Sequence, residues 1–101
     1  VEVVDKDYMP LNGHCTYLPN IDWILNDTYP QGEDRLQSLF LYNVPQRQRV
    51  ELGAFKALTP NGPLRCDLHP RFSRDGKSVL VDSTHEDKGR QMYLVDISTL
   101  V

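Results

Sequence analysis

Apolar residues along this chain fall in short, alternating or β-branched runs bounded by turn residues, a pattern typical of β-strands. The pattern predicts strands over 1–4, 14–18, 23–27, 36–44, 49–55, 67–72, 78–82 and 90–97. No segment sustains an apolar period of about 3.6 residues, so helix is limited to at most a turn or two within 34–38. The predicted fold class is all-β.

One stretch of the chain occurs twice, 55 positions apart. The first copy runs over 14–27 and the second over 69–82; both begin with a histidine and end with an aspartate. A third strand also recurs, since 39–44 matches 92–97 at an offset of 53. Repetition over this length indicates stacked units of one architecture.

Repeated units of four antiparallel strands with Asp-Gly turns favour β-propeller blades, with a small β-sandwich of two similar halves as the alternative. Residues 1–55 would hold the end of a preceding blade and a first blade, and 56–101 a second, incomplete blade. The linker over 56–64 contains Pro60, Gly62 and Pro63. Two blades do not close a ring. We therefore expect either further blades in a longer parent chain or self-association through exposed strand edges.

Composition narrows the classes of function. The hydrophobic content of 40% and the charged content of 25% are ordinary for a globular protein. A net charge of −3 argues against a nucleic-acid partner. No apolar run is long enough to predict a membrane span. The start Val-Glu-Val-Val, with neither Met nor a signal segment, suggests an excised piece and leaves the compartment, cytoplasmic or periplasmic, open.

Two cysteines, Cys15 and Cys66, are too few for a disulfide scaffold. They are interpreted as buried free thiols, which pack as small apolar side chains. Each lies close to a repeat histidine in the sequence, so a disulfide between them and a metal role both stay open.

Residues that open the innermost strand of each blade converge near a propeller axis, which would bring His14, Asp67 and His69 together. Two imidazoles and a carboxylate suit Mn, Fe, Zn or Ni, with water in the open positions. The alternative is that both histidines pack between blades, hydrogen-bonded to backbone or to a neighbouring aspartate. Asp27 and Asp82 are expected one strand further out.

Several other side chains are candidates for substrate binding. Arg65 and Arg90 suit bidentate recognition of a carboxylate; ion pairing of Arg65 with a nearby aspartate is the structural alternative. Tyr29 is a candidate for stacking on a sugar ring, and His85, at a strand end, for contact with a ligand. Arg71, beside the Asp-Gly turn, is expected to be solvated.

Five segments carry a family resemblance: Gly-His-Cys (13–15), Trp-Ile-Leu-Asn-Asp-Thr-Tyr-Pro (23–30), Arg-Cys-Asp-Leu-His-Pro-Arg-Phe-Ser-Arg-Asp-Gly-Lys (65–77), Asp-Ser-Thr-His (82–85) and Gly-Arg-Gln-Met-Tyr-Leu-Val-Asp-Ile (89–97). They resemble the C-terminal blades of the oligogalacturonate lyase-like propellers. These are bacterial seven-bladed proteins related to the propeller domain of the Tol translocation system. The His-Pro-x-Phe-Ser-x-Asp-Gly-Lys element marks Tol-type blades broadly, whereas Gly-His and Arg-Cys-Asp-Leu-His are more specific.

The resemblance implies a manganese ion near the propeller axis, held by histidines and a glutamine from adjacent blades. His14 and His69 match two of these ligands. A further family histidine falls on Asp67, which offers oxygen instead, and the glutamine falls on Leu64, which offers no donor.

The resemblance also implies β-elimination on uronate-containing oligosaccharides, with Arg65 or Arg90 on the substrate carboxylate. No residue of this chain is assigned as the catalytic base. The alternative function is a non-catalytic Tol-type module that binds a protein or glycan partner. A third class, the propeller gate of a serine peptidase, would require a hydrolase domain.

Overall fold

The computed structural model describes residues 1–59 and 62–101, which form seven β-strands and no helix. The strands are β1 (Cys15–Tyr17), β2 (Trp23–Asp27), β3 (Leu36–Asn43), β4 (Gln48–Lys56), β5 (Arg71–Phe72), β6 (Ser78–Ser83) and β7 (Gln91–Asp96). They build a four-stranded antiparallel sheet, β1-β2-β3-β4, and a three-stranded antiparallel sheet, β5-β6-β7. The all-β prediction is confirmed. Within the described residues nothing forms a helical membrane span, and Pro60 of the predicted linker lies outside them.

The two sheets repeat one pattern of strand pairing. Leu25 pairs with Leu41 in the first sheet, and Leu80 pairs with Leu94 in the second. The first two strands of each sheet are therefore related by an offset of 55 and the third strands by 53, as in the sequence. The repeat in the sequence is therefore also a repeat in how the residues of neighbouring strands pair.

One apolar core joins the sheets. Leu25, Leu39 and Leu41 on one side of the first sheet pack with Val79 and Val81 of the second, and all five are 0% exposed. Because side chains alternate across a strand, each sheet has two distinct faces. We call the side with the three leucines the front face of the first sheet, and the side with the two valines the back face of the second.

The back face of the first sheet is covered by residues 1–12. The Asp5 carboxylate accepts hydrogen bonds from the Tyr42 hydroxyl and from the Arg47 guanidinium, the latter at 2.8 and 3.1 Å. Arg49 donates to the Tyr8 carbonyl at 3.1 Å. The covering segment leaves an open cavity of about 370 Å³ against the sheet, lined by His14 and Asp27 as well as by apolar residues, which include Val4, Met9, Leu11, Ile24 and Phe40.

The strand predicted over 1–4 is wrong. Residues 1–4 form no strand with any described residue: Val4 lines the cavity on the back face of the first sheet, and Val1 and Val3 are exposed. Residues 34–38 form no helix, in agreement with the limit of a turn or two that the sequence set. Leu36 already begins β3 and is bridged to Gln31.

The predicted strand over 67–72 is also shorter than expected. Only Arg71–Phe72 pairs as β5. His69 adopts a positive φ of 44°, outside the extended region, and Pro70 has no N–H to donate to a ladder. The two residues preceding β5 are therefore released from the sheet.

Candidate functional site

The three predicted metal ligands lie together where the two sheets meet. His14, Asp67 and His69 each offer one ligand atom, and these atoms are all within 4.8 Å of one another. Ligand bonds of about 2.0–2.2 Å allow three ligand atoms around one ion to be at most about 3.8 Å from one another. Ligand atoms that are 4.8 Å apart would thus have to approach by about 1 Å to hold a single ion.

His14, just before β1, is held by a buried carboxylate. Its ring Nδ1 lies 3.1 Å from both oxygens of Asp27, and its backbone N–H donates to the same carboxylate at 2.6 Å. The Asp27 side chain is 0% exposed and that of His14 is 33% exposed. A carboxylate that accepts Nδ1–H fixes the tautomer and leaves Nε2 as the nitrogen with a free lone pair.

A glycine makes this clamp sterically possible. A Cβ placed on Gly13 would lie 2.0 Å from the carbonyl oxygen of Asp27 and 2.9 Å from its carboxylate. The chain also closes here through a backbone hydrogen bond from Asp27 N–H to the His14 carbonyl at 3.0 Å. The Gly-His sequence is thus what lets the histidine backbone lie against the end of β2.

The backbone of His69 does not make the hydrogen bond that its repeat counterpart, His14, makes. In the second unit the Asp82 N–H donates to the Leu68 carbonyl at 2.8 Å, whereas the Asp27 N–H bonds to His14 itself. With its left-handed backbone, His69 turns out of the ladder. Its ring then stacks on His14, with the ring centroids 4.4 Å apart and the planes at 36°.

Asp82 is bonded to an arginine, whereas its repeat counterpart Asp27 is bonded to a histidine. Arg71 makes two hydrogen bonds to the Asp82 carboxylate, at 3.0 and 3.3 Å, and a third to the His69 carbonyl at 2.9 Å. The expectation that Arg71 is merely solvated is wrong, because a carboxylate within reach binds the planar guanidinium bidentately. Arg71 neutralises Asp82 and so leaves the His69 ring free to face His14.

The predicted substrate arginines lie at the rim of the cluster. Arg65 donates to Asp67 at 2.9 Å, as the structural alternative proposed, and its guanidinium also lies 5.0 Å from the centre of the Tyr29 ring. Tyr29 packs edge-on against His14, with the centroids 5.3 Å apart. Arg90 donates to the Arg65 carbonyl at 3.0 Å. One tyrosine and two cations therefore adjoin the three candidate ligands.

His85 has a different environment. Its Nδ1 lies 2.8 Å from the Ser83 hydroxyl, and its ring contacts Phe55 and Tyr93 with centroid distances of 5.0 and 4.5 Å. Among the described residues, no hydrogen bond or aromatic contact links His85 to the histidine pair.

The two cysteines are both free thiols. Cys66 is buried, and burial raises the pKa of its thiol. Cys15 is exposed rather than buried as predicted, because it faces the cavity behind the first sheet. The disulfide that the sequence left open is not formed.

Comparison with known proteins adds one similarity. No family model matches the chain, and no solved structure matches it. It is similar to protocadherin alpha-9 from Pan troglodytes and from Homo sapiens, 35% identical over 78 residues in each case. The match covers 69% of this chain, and the chain spans only 8% of the length of these relatives. A match to so small a part of a protein does not assign the chain to its family.

Proposed function

We propose that this chain contributes blades to a β-propeller that holds a divalent metal at His14, Asp67 and His69 and cleaves uronate-containing oligosaccharides by β-elimination. The convergence of these three side chains within 4.8 Å carries the proposal. The resemblance to oligogalacturonate lyase-like blades supports the reaction type, and the repeated sheet register supports the blade architecture.

The donor set fits a divalent ion. Two imidazole nitrogens and one carboxylate oxygen suit Mn²⁺ and related ions. The buried Asp27 carboxylate bonds to the ring of His14, as a carboxylate commonly does to a histidine that binds a metal. Leu64, at the position of the family's glutamine, is 75% exposed and offers no donor, so water would complete the coordination. When bound, the ion would supply Lewis-acid polarisation of a carboxylate oxygen.

Different residues around the cluster would bind different parts of the substrate. Arg65 bonds to Asp67, and its guanidinium would be released for a substrate carboxylate if Asp67 served as a metal ligand. Arg90, bonded to the Arg65 backbone, adds a second positive charge beside it. Tyr29 presents a ring that could stack on the sugar. The proton α to the uronate carboxylate would pass to a base that no described residue is assigned to supply.

The test is metal binding and product formation by the protein that contains this chain. We expect one Mn²⁺ per chain by elemental analysis after dialysis, together with ultraviolet absorbance from unsaturated product on oligogalacturonate. His14→Ala should abolish both. His85→Ala is the matched control and should retain both, since its ring contacts Phe55 and Tyr93. Absence of stoichiometric metal and of product would overturn the proposal.

The internal pairing of the site charges favours a second candidate function, a non-catalytic binding module. Asp27 is held by His14, Asp67 by Arg65 and Asp82 by Arg71, so each carboxylate has a partner without a metal. In this case His14→Ala would lower the stability of the protein but leave binding of a protein or glycan partner intact. If the wild type lost partner binding when metal was removed and regained it when Mn²⁺ was added, the binding-module function would be contradicted.

A further inference from the structure

Segment 65–69 carries two of the three candidate metal ligands, yet it belongs to neither sheet. The nearest strand, β5, begins only at Arg71. Backbone carbonyls outside a ladder still need hydrogen-bond donors, which must then come from side chains, from single backbone groups or from water. The distance of Asp67 and His69 from His14 therefore depends on the groups that hold these carbonyls.

Two of the carbonyls are held from the end of β6. The Asp82 N–H donates to the Leu68 carbonyl at 2.8 Å. Arg71 donates to the His69 carbonyl at 2.9 Å and, through the same guanidinium, to the Asp82 carboxylate at 3.0 and 3.3 Å. The fixed fork of the guanidinium lets one side chain bond to both groups at once. The backbone of His69 is thus tied to β6 through one arginine.

Arg90, just before β7, holds a third carbonyl. It donates to the Arg65 carbonyl at 3.0 Å, and its Nη1 lies 3.9 Å from the Asp82 carboxylate. The Asp82 side chain is only 19% exposed and lies between two arginines that each reach back to segment 65–69. One carboxylate therefore anchors both ends of the segment that holds the ligands.

We propose that Asp82 is a positioning residue of the metal site. Through the two arginines it holds segment 65–69 where the two ligands of that segment face His14. This inference rests on the metal site proposed above. Asp82 is not one of the three clustered ligands, so it acts on the ion only through the backbone of the segment.

The repeated aspartates would then serve the two histidines by different routes. Asp27 bonds directly to the ring of His14. Asp82, 55 positions later, bonds to Arg71, which in turn bonds to the His69 carbonyl. One histidine is oriented at its ring and the other at its backbone. Loss of Asp82 should therefore move His69 as a whole rather than change its tautomer.

Position and charge make opposite predictions for Arg71. If only its charge mattered, Arg71→Met would remove a repelling cation near the site and strengthen Mn²⁺ binding. If Arg71 positions His69, the loss of its bond to the carbonyl should weaken Mn²⁺ binding. We expect isothermal titration calorimetry to show a dissociation constant raised about tenfold, the lower end of the effect of losing groups that orient metal ligands.

Asp82→Ala should weaken Mn²⁺ binding by a similar factor. Because both changes break one connection, the variant that combines them should bind no more weakly than the weaker single variant. Asp96→Ala is the matched control, since it removes the same charge from the opposite end of the same sheet: Asp96 pairs with Ser78, whereas Asp82 pairs with Met92. The control should bind Mn²⁺ as the wild type does.

The contact of the two histidine rings gives a second readout that needs no metal. The ring centroids of His14 and His69 lie 4.4 Å apart, within range of a nuclear Overhauser effect between ¹³C-labelled histidines. The effect should be present in the metal-free wild type and in Asp96→Ala, and it should be lost in Arg71→Met and in Asp82→Ala. Circular dichroism checks that the variants are folded, and Asp82→Asn replaces Asp82→Ala if the latter is not.

The outcomes separate this inference from the proposed function. If the wild type binds no Mn²⁺, the proposed function fails, and the ring contact alone decides whether Asp82 positions the histidines. If the wild type binds Mn²⁺ and Arg71→Met binds it equally or more tightly, the positioning role is contradicted. Ring contacts that persist in both variants, or an equal loss of affinity in Asp96→Ala, contradict it as well.

Discussion

The rings of His14 and His69 lie 4.4 Å apart, although the two residues precede strands of different sheets and occupy corresponding positions of a repeat. Their partners explain how equivalent residues come to face each other. His14 is bonded through ring and backbone to Asp27, and the counterpart carboxylate, Asp82, is bonded to Arg71. The pair therefore arises because one repeat keeps the histidine–aspartate contact and the other replaces it.

Asp27→Asn should weaken Mn²⁺ binding about 10- to 100-fold, the usual effect of losing a carboxylate that orients a metal-binding histidine. The amide would donate to Nδ1 of His14 and so favour the tautomer that places hydrogen on Nε2. Isothermal titration calorimetry measures the affinity, and ¹⁵N chemical shifts of the ring report the tautomer. Asp22→Asn, on an exposed turn, is the control. Equal affinities in the wild type and Asp27→Asn would show that Asp27 does not orient a ligand.

Gly13→Ala should destabilise the protein by about 2–3 kcal/mol, in the range of overpacking substitutions. The added methyl would fall 2.0 Å from the Asp27 carbonyl oxygen, where backbone and not a flexible side chain must move. Gly32→Ala is the control: no atom lies within 4 Å of its Cβ, and only a positive φ of 72° opposes it, at a cost of about 1 kcal/mol. Urea unfolding gives both values. A smaller loss at position 13 than at position 32 would contradict the close approach.

The two thiols should react at very different rates with Ellman's reagent. Cys15 is exposed and should react at once, whereas Cys66 is buried and has a raised thiol pKa, so that it should react only on unfolding. Cys15→Ser should abolish the fast phase and Cys66→Ser should retain it. If both thiols reacted with the reagent in one fast phase, Cys66 would be accessible in the folded protein.

The cover over the back face should loosen in acid. Hydrogen bonds from Arg47, and then from Tyr42, lower the pKa of Asp5 to about 2 from its usual 3.8. A carboxyl whose pKa is lower in the folded state stabilises that state above its unfolded pKa, and this contribution is lost as the pH falls from about 4 to about 2. Near-ultraviolet circular dichroism of the tyrosines, followed from pH 6 to pH 2, should show the loss.

Asp5→Asn should shift that tyrosine signal towards its acid value even at neutral pH. Asp7→Asn, an exposed change in the same segment, should leave the titration as in the wild type. Identical titrations of wild type and Asp5→Asn would show that Asp5 does not hold residues 1–12 in place.

The strand order and register could be predicted because their signals are local and occur twice. The offsets of 55 and 53 reappear as pairings such as Leu25 with Leu41 and Leu80 with Leu94. Residues 1–4 have the composition of a strand but no partner strand, and β-propensity without pairing does not make a strand.

The grouping of His14 and His69 followed from equivalent positions in the repeat, and that of Asp67 from its place at the start of the same predicted strand, but the details of the cluster did not. A positive φ at a non-glycine residue has no reliable sequence signal, so the release of His69 could not be foreseen. The contact of Arg71 with Asp82 joins residues 11 apart across two strands. The sequence signal for this contact was that Arg71, a charged residue, stands at the repeat position of Thr16 on the strand beside the one that ends near Asp82.

The turned-out backbone at His69 gives the histidine pair one rigid member and one adjustable member. His14 is fixed by Asp27, whereas the exposed His69 ring has no hydrogen bond to any described residue. Ions that differ in radius by tenths of an ångström could then be accommodated by movement of His69 alone, without strain in either sheet. Preference among divalent ions at such a site would follow the chemical character of the ligands, nitrogen against oxygen, more than the size of the opening.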